Sequence, residues 1–390
     1  MKAPGFAGGW LLANRYVIFV NTHMIKVGFV LLSNSNAAIP STRIVVLNML
    51  PYLRTAGFDP HIVFQPATST KTPDVSGLAT RLKAEGFQVV FFQKVFGDSV
   101  LALAQALRLA GVKTVFSICD FVNPAMCEAT DLTIVVTDYL KSLYPAQLQH
   151  KVHVVHDGVE RPMLHKTEWG AHTGSGLKPI NAVLVTSGAL QRLPLMVCPP
   201  PWLRVTIVGN YSPDSNKLRR LRENHWRLTR PGSWGQKASY FRFLTNPRIR
   251  CEAWGSESVY AAMQRADVGI IPIEVDPERD PTGEWRLKSE NRLTLKMAMG
   301  LPVIATPIPS YEPVIDQGVN GFLAHNISQW HTYLSELRDP ALRQSIGQQA
   351  RLTALARYSM DLQAAKLIAL LRQLIGVTAD FNGTDVPQEV

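Results

Sequence analysis

The stretch Arg286-Leu-Lys-Ser-Glu-Asn-Arg-Leu-Thr-Leu-Lys-Met-Ala-Met-Gly-Leu-Pro-Val-Ile-Ala305 sets cations at the start of an amphipathic helix. Ser289 is a good N-cap, with Lys288 before it, Glu290, Asn291 and Arg292 in the first turn, and Gly300 placed to end the helix. A helix N-terminus presents free N–H groups and partial positive charge, which suits a diphosphate. Lys288 and Arg292 oppose the helix dipole there, a conflict that an anionic ligand would remove. The same spacing also fits a surface helix whose basic residues point to water. Lys296, one turn onward, is expected to have no part in holding a ligand.

Candidates in the first half are fewer. Ser33-Asn-Ser-Asn-Ala-Ala-Ile-Pro-Ser-Thr-Arg43 follows an apolar run. Its small polar residues, Ser35 among them, would let backbone amides approach a phosphate or sugar, with Arg43 as charge partner. A plain loop with an N-cap at Ser41 explains it as well. Asp120, after Phe116-Ser117, is either an acceptor-side carboxylate that orients or deprotonates a hydroxyl, or a cap for the turn before Asn123-Pro124. Lys94, after Phe91-Phe92-Gln93, faces either a cleft or solvent.

These residues need a scaffold, and the chain of 390 residues is long enough for two domains. Short Val/Ile-rich runs without polar alternation read as strands covered on both faces. In the first half they are Ile25–Leu32, His61–Phe64, Val89–Phe92, Thr114–Ile118, Leu132–Val136 and Val152–Val155. The pattern restarts with Ala182–Val185, Val205–Val208, Ile249–Ala253, Val268–Ile271, Val303–Ala305 and Gly321–Leu323. Helical stretches alternate with them, which predicts βαβ units and parallel sheets. The expected division is a leader at 1–23, a first domain at 24–160, a linker at 161–179, a second domain at 180–358, a closing helix at 359–375 and a tail at 376–390. Ligands of doubly wound sheets bind beyond the carboxyl ends of the strands, so the two domains should share one cleft.

Leu295-Lys-Met-Ala-Met-Gly-Leu-Pro-Val-Ile-Ala-Thr306 and Tyr311-Glu-Pro-Val-Ile-Asp-Gln-Gly-Val-Asn-Gly-Phe-Leu323 resemble the donor-binding domain of GT-B glycosyltransferases of retaining family 4, the glycosyl transferases group 1. Tyr260-Ala-Ala-Met-Gln-Arg-Ala-Asp-Val-Gly-Ile-Ile-Pro272 is similar to the preceding element, and Val154-Val-His-Asp-Gly-Val159 to the segment closing the family's first domain. The resemblance implies an α/β GT-B fold: two Rossmann-like, doubly wound domains facing a central cleft. It implies sugar transfer, with retention, from a nucleotide diphosphate sugar to a hydroxyl on a glycan or lipid-linked acceptor. No cofactor or metal is required. In this reading Lys288, Ser289, Asn291 and Arg292 hold the leaving group, Arg192 after Ser187-Gly188 assists them, and Glu312 contacts the donor. Arg192 also reads as an exposed loop arginine, and Glu312 as a first-turn carboxylate favoured by the helix dipole. The chain departs from the family at one point: Leu287 and Leu295 stand where many members carry paired glutamates. The start Lys-Ser-x-Asn-Arg instead resembles a subgroup, with Glu284 or Glu290 as the substitute. The departure keeps open a second reading, a non-catalytic relative that binds a nucleotide sugar or glycan or serves as a partner subunit.

The formal net charge of +10 favours acidic partners without choosing among them. Residues 217–250 hold ten Lys/Arg against one Glu, interleaved with Trp226, Trp234, Tyr240 and Phe241. This composition suits an anionic membrane surface, or an ordinary amphipathic helix with a solvated basic face; nucleic acid is a distant third. The acidic loop Glu274–Glu284 reads as a cleft edge, not an ion site. Four cysteines without CxxC spacing read as reduced thiols. No run reaches the roughly 18 apolar residues of a membrane span, so the expected location is cytoplasmic, with peripheral contact at the inner membrane face.

Overall fold

The computed structural model describes residues 24–175, 177–186, 199–211, 216–229, 231–273 and 283–377. The leader, most of the tail, Ser187, Gly188, Arg192 and most of the acidic loop lie outside the described residues.

Among the described residues twelve strands form two parallel six-stranded sheets. The first sheet contains β1 (Ile25–Leu31), β2 (Phe58–Phe64), β3 (Val89–Gln93), β4 (Lys113–Ile118), β5 (Leu132–Val135) and β6 (Val152–Val154), in the order β2-β1-β3-β4-β5-β6. The second contains β7 (Ile180–Val185), β8 (Leu203–Gly209), β9 (Ile249–Ala253), β10 (Val268–Ile271), β11 (Val303–Ala305) and β12 (Phe322–Leu323), in the order β12-β11-β10-β7-β8-β9. Each expected strand is present. Buried Val, Ile and Phe on both faces explain why the runs carry no polar alternation: Val90 and Phe92 belong to one apolar layer, Val89 and Phe91 to the opposite one.

Both sheets reverse their winding direction once. The first does so between β1 and β3, the second between β7 and β10. At such points adjacent loops leave in opposite directions and open a crevice at the strand ends. The helical segment 40–55 after β1 starts on Pro40–Thr42, widens to π-helical geometry over Arg43–Leu47 and resumes at Leu50–Thr55. A π turn inserts one extra residue and re-aims side chains; Arg43 opens it and Asn48 follows it.

The segment expected to be a linker is not loose. Fully buried Arg343 donates to the carbonyls of Gly170, His172, Leu337 and Arg338. Lys166 donates to the carbonyls of Gln264 and Ala266, and the Trp169 indole to that of Gly300. Polar composition without an apolar period resembles a linker, but here the polar groups serve as straps to the second domain. The chain then crosses back: the helix Met360–Ile375 packs Met360, Ala364, Leu367 and Leu371 against the first sheet. At the crossing the Val159 amide donates to the Tyr358 carbonyl at 2.8 Å, and a Cβ on Gly158 would strike the Met360 thioether. No described helix is long and apolar enough to cross a membrane.

Candidate functional site

Both switch points open into one cleft of about 450 Å³. The first domain contributes Pro40, Ser41, Arg43 and Asn48 from the segment after β1, and Cys119 from the end of β4. The crossing segment contributes Asp157, Glu160 and Arg161. From the second domain come Thr186 at the end of β7, Trp254 after β9, and Lys288, Ser289, Asn291, Arg292 and Lys296.

The helix of greatest interest spans Asn291–Ala298. Its cap position is occupied by Glu290, not Ser289, and among the described residues no side chain caps its first amides. The Ser289 side chain instead turns across the cleft, where its hydroxyl donates to Asp157 Oδ2 at 2.9 Å. The free N–H groups thus keep their capacity for an anion. Among the described residues neither Lys288 nor Arg292 forms an ion pair, and both line the cleft.

Glu290, expected among the ligand contacts, turns inward. It is buried, with Oε1 2.7 Å from His156 Nδ1, and it is not among the cleft-lining residues. The same nitrogen lies 2.9 Å from the Val136 carbonyl, and the His156 amide donates to Gln363. Glu290 therefore fastens the helix start to the domain crossing.

Sequence reasoning missed two carboxylates, Asp157 and Glu160, because they sit at the edge of the apparent linker. Their signal was the resemblance of Val154–Val159 to a domain-closing segment. Burial, then the nearby Glu290 carboxylate, push the Asp157 carboxyl up to about 7, against the lowering effect of the Ser289 hydrogen bond. Glu160 accepts from Arg43 Nε at 2.7 Å and Nη2 at 3.0 Å, and from Asn48 Nδ2 at 3.0 Å. Arg43, expected to meet a ligand directly, is thus a bidentate clamp that aims Glu160. Arg161 stacks its guanidinium 4.8 Å from the ring centre of Tyr260, whose buried hydroxyl has no hydrogen-bond partner among the described residues.

The remaining candidates lie elsewhere. Lys94 and Asp120 find each other, Nζ to Oδ2 at 2.6 Å, and neither is among the cleft-lining residues. Their neighbour Cys119 is the residue there that faces the cleft, its thiol pushed up to about 12 chiefly by burial. The Ser35 amide is spent on Gln65, and Ser35 stands outside the cleft lining. Glu312 is exposed in a turn, not a helix, and is not among the residues lining this cleft. Lys296 departs most from expectation. It is fully buried and lines the cleft floor, its side chain running back one turn so that Nζ reaches the Arg292 carbonyl at 3.2 Å. Leu287 packs onto the first domain's core and Leu295 lines the cleft, so the positions of the paired glutamates are apolar in space as well. Among the described residues no group of His, Cys, Asp or Glu has the geometry of a metal site.

A search of curated proteins returned no match. The chain is similar in structure to a glycosyltransferase from Rickettsia africae at 13% identity and a TM-score of 0.63, over 91% of this chain and 100% of that one. Anabaena Alr3699/HepE, solved in complex with UDP and glucose, aligns at 13% identity and a TM-score of 0.62, covering 90% and 100%. Sucrose-phosphate synthase from Thermosynechococcus elongatus aligns at 13% and 0.61, covering 91% and 100%. The fold is that of GT-B glycosyltransferases, two α/β domains about a cleft, and residues 201–339 match the family described as glycosyl transferases group 1.

Proposed function

We propose that the protein transfers a sugar from a nucleotide diphosphate sugar, with UDP as the nucleotide, to a hydroxyl acceptor with retention at the anomeric carbon. The observation that carries this reading is the uncapped start of the Asn291–Ala298 helix, open to the cleft and flanked by Lys288 and Arg292, which pair with no acid among the described residues. Departure of a diphosphate builds negative charge on its oxygens, and fixed cations with helix amides stabilise that charge without reorganising. A cleft of about 450 Å³ has the size of small-ligand sites. The half-exposed Trp254 ring offers a platform for the base. UDP in the Anabaena complex supports the choice of nucleotide. Arg192, outside the described residues, follows Ser187-Gly188 in the sequence and would join the phosphate contacts.

Asp157 and Glu160 take the roles first sought at Asp120 and Lys94. Glu160, aimed by Arg43 and Asn48, orients the acceptor hydroxyl or a donor-sugar hydroxyl. Asp157 has a proton affinity suited to receiving a proton near neutral pH. A capsule, lipopolysaccharide or exopolysaccharide pathway, with the acceptor on a lipid, fits a second feature of the surface. Leu218 and Trp234 are 80% and 86% exposed, and Phe241 lies on the same helix face as Trp234, two turns on. Lys237 is set over the Trp234 ring, and the basic composition of 217–250 suits an anionic bilayer.

The test is thermal unfolding with UDP, GDP, ADP and CMP, followed by release of nucleotide from the matching sugar donors in the presence of acceptor extract. UDP should raise the unfolding midpoint by mass action, and Lys288→Ala with Arg292→Ala should abolish the rise. Stabilisation by none of the diphosphates would refute the reading. Binding without turnover on any acceptor would instead favour a non-catalytic relative, the reading raised by Leu287 and Leu295.

A further inference from the structure

Lys296 is a buried lysine with no acid beside it among the described residues. It is fully excluded from solvent, and its methylenes lie against β10 and β11: a Cβ placed on Gly269 would meet Lys296 Cδ, and Val303 lies at the same contact. Its hydrogen bond is to the Arg292 carbonyl at 3.2 Å, which leaves two ammonium protons without acceptors among the described residues. The charged groups that line the same cleft are Arg292 on its own helix, Lys288 before it, Asp157, Glu160 and Arg161 on the crossing segment, and Arg43 on the first domain; of these it is the Arg292 charge that acts on Lys296. None of the described carboxylates pairs with Lys296. Burial first, then the Arg292 charge, bring its proton affinity down to about 7.

A buried cation without a partner is disfavoured unless something supplies negative charge. The side chain reaches the level of the helix's first turn, where the cleft already presents Lys288, Arg292 and the free amides. We propose that Lys296 is the third cation of the diphosphate site, charged by a proton taken from solvent as the ligand arrives. The inference rests on the reading of the cleft as a diphosphate site. It adds that binding and protonation are coupled, so that the free protein avoids a buried charge and the complex gains one. The proton comes from the buffer and goes to the Lys296 amine; no other bond changes.

The experiment is calorimetric titration of the full chain with UDP at pH 8 in buffers of different ionisation enthalpy, where the terminal phosphate is fully ionised. Wild type should take up about 0.9 proton per UDP bound, the share of Lys296 that is neutral in the free protein at that pH. Lys296→Met should bind UDP about tenfold more weakly with almost no uptake. Asp157→Asn, which removes the other cleft group titrating near neutrality, should retain the uptake. Binding of UDP to wild type with no proton uptake would overturn the inference and leave the function standing. Uptake that persists in Lys296→Met but vanishes in Asp157→Asn would overturn it too, by moving the proton to Asp157. Failure of UDP to bind wild type would overturn the function, and the inference with it. Should Lys296→Met fail to fold, the comparison of wild type with Asp157→Asn still decides between the two groups.

Discussion

Replacing Asp157 with asparagine removes a charge while keeping shape and the acceptor for the Ser289 hydroxyl. In the wild type this carboxyl is buried beside Glu290 and titrates near 7 in place of its ordinary 3.8. A raised acid affinity in the folded state means that the folded protein holds the proton between pH 4 and 7 while the unfolded chain has lost it. Stability of the wild type relative to the variant therefore falls as pH rises through that window, and stays low above it. The gap between the two titration points spans about three decades of proton affinity, and at about 1.36 kcal/mol per decade the plateau stands at about 4 kcal/mol. Local relaxation reduces this, so the expected gain for Asp157→Asn at pH 8 is about 2–4 kcal/mol, with near equality at pH 4. At about 2–4 °C per kcal/mol for domains of this size, the unfolding midpoint rises several degrees. The assay is calorimetric unfolding of both proteins from pH 4 to 9, paired with sugar-transfer rates. The variant should gain stability and lose transfer, the pattern of a group kept at a structural cost for chemistry. A variant no more stable than wild type at pH 8, or a difference flat across the range, would refute the reasoning.

Glu160→Gln should lower transfer by at least about tenfold with UDP affinity changed less than about threefold, since the proposal gives the residue a hydroxyl and not the nucleotide to orient; an equal loss of UDP affinity in titration would contradict that role. Gly347→Ala should cost about 2–4 kcal/mol in chemical unfolding, because a Cβ there strikes the Gly300 carbonyl and lies 2.5 Å from the Trp169 indole nitrogen; a loss under about 0.5 kcal/mol would show that the two segments separate easily. Trp234→Ser with Phe241→Ser should reduce sedimentation with phosphatidylglycerol vesicles, and high salt should do the same to wild type. Unchanged sedimentation would dismiss the patch as a membrane contact.

The sheets were legible because burial on both faces forces uninterrupted Val/Ile runs, and Gly300, at a φ of 82°, marked the end of the key helix. What a side chain does with a distant partner was less legible. Ser289 has the chemistry of a cap but donates to Asp157, 132 positions earlier in the chain, and Arg43 has the look of a ligand contact but clamps Glu160. Asp120 and Lys94 are each plausible alone, yet they neutralise each other once β3 and β4 lie side by side. Residues 161–175 imitate a linker because straps built from backbone carbonyls leave no apolar period. Lys296 could have been placed from its spacing: Lys288, Arg292 and Lys296 follow one another at four-residue intervals, which sets Arg292 and Lys296 on one helix face.

The decisive observation is a structure of the protein with UDP bound. A phosphate should accept hydrogen bonds from the amides of Asn291 and Arg292, with the Lys288 and Lys296 ammonium groups turned toward it. A nucleotide seated with its phosphates elsewhere, leaving that helix start bare, would contradict the assignment of the cleft.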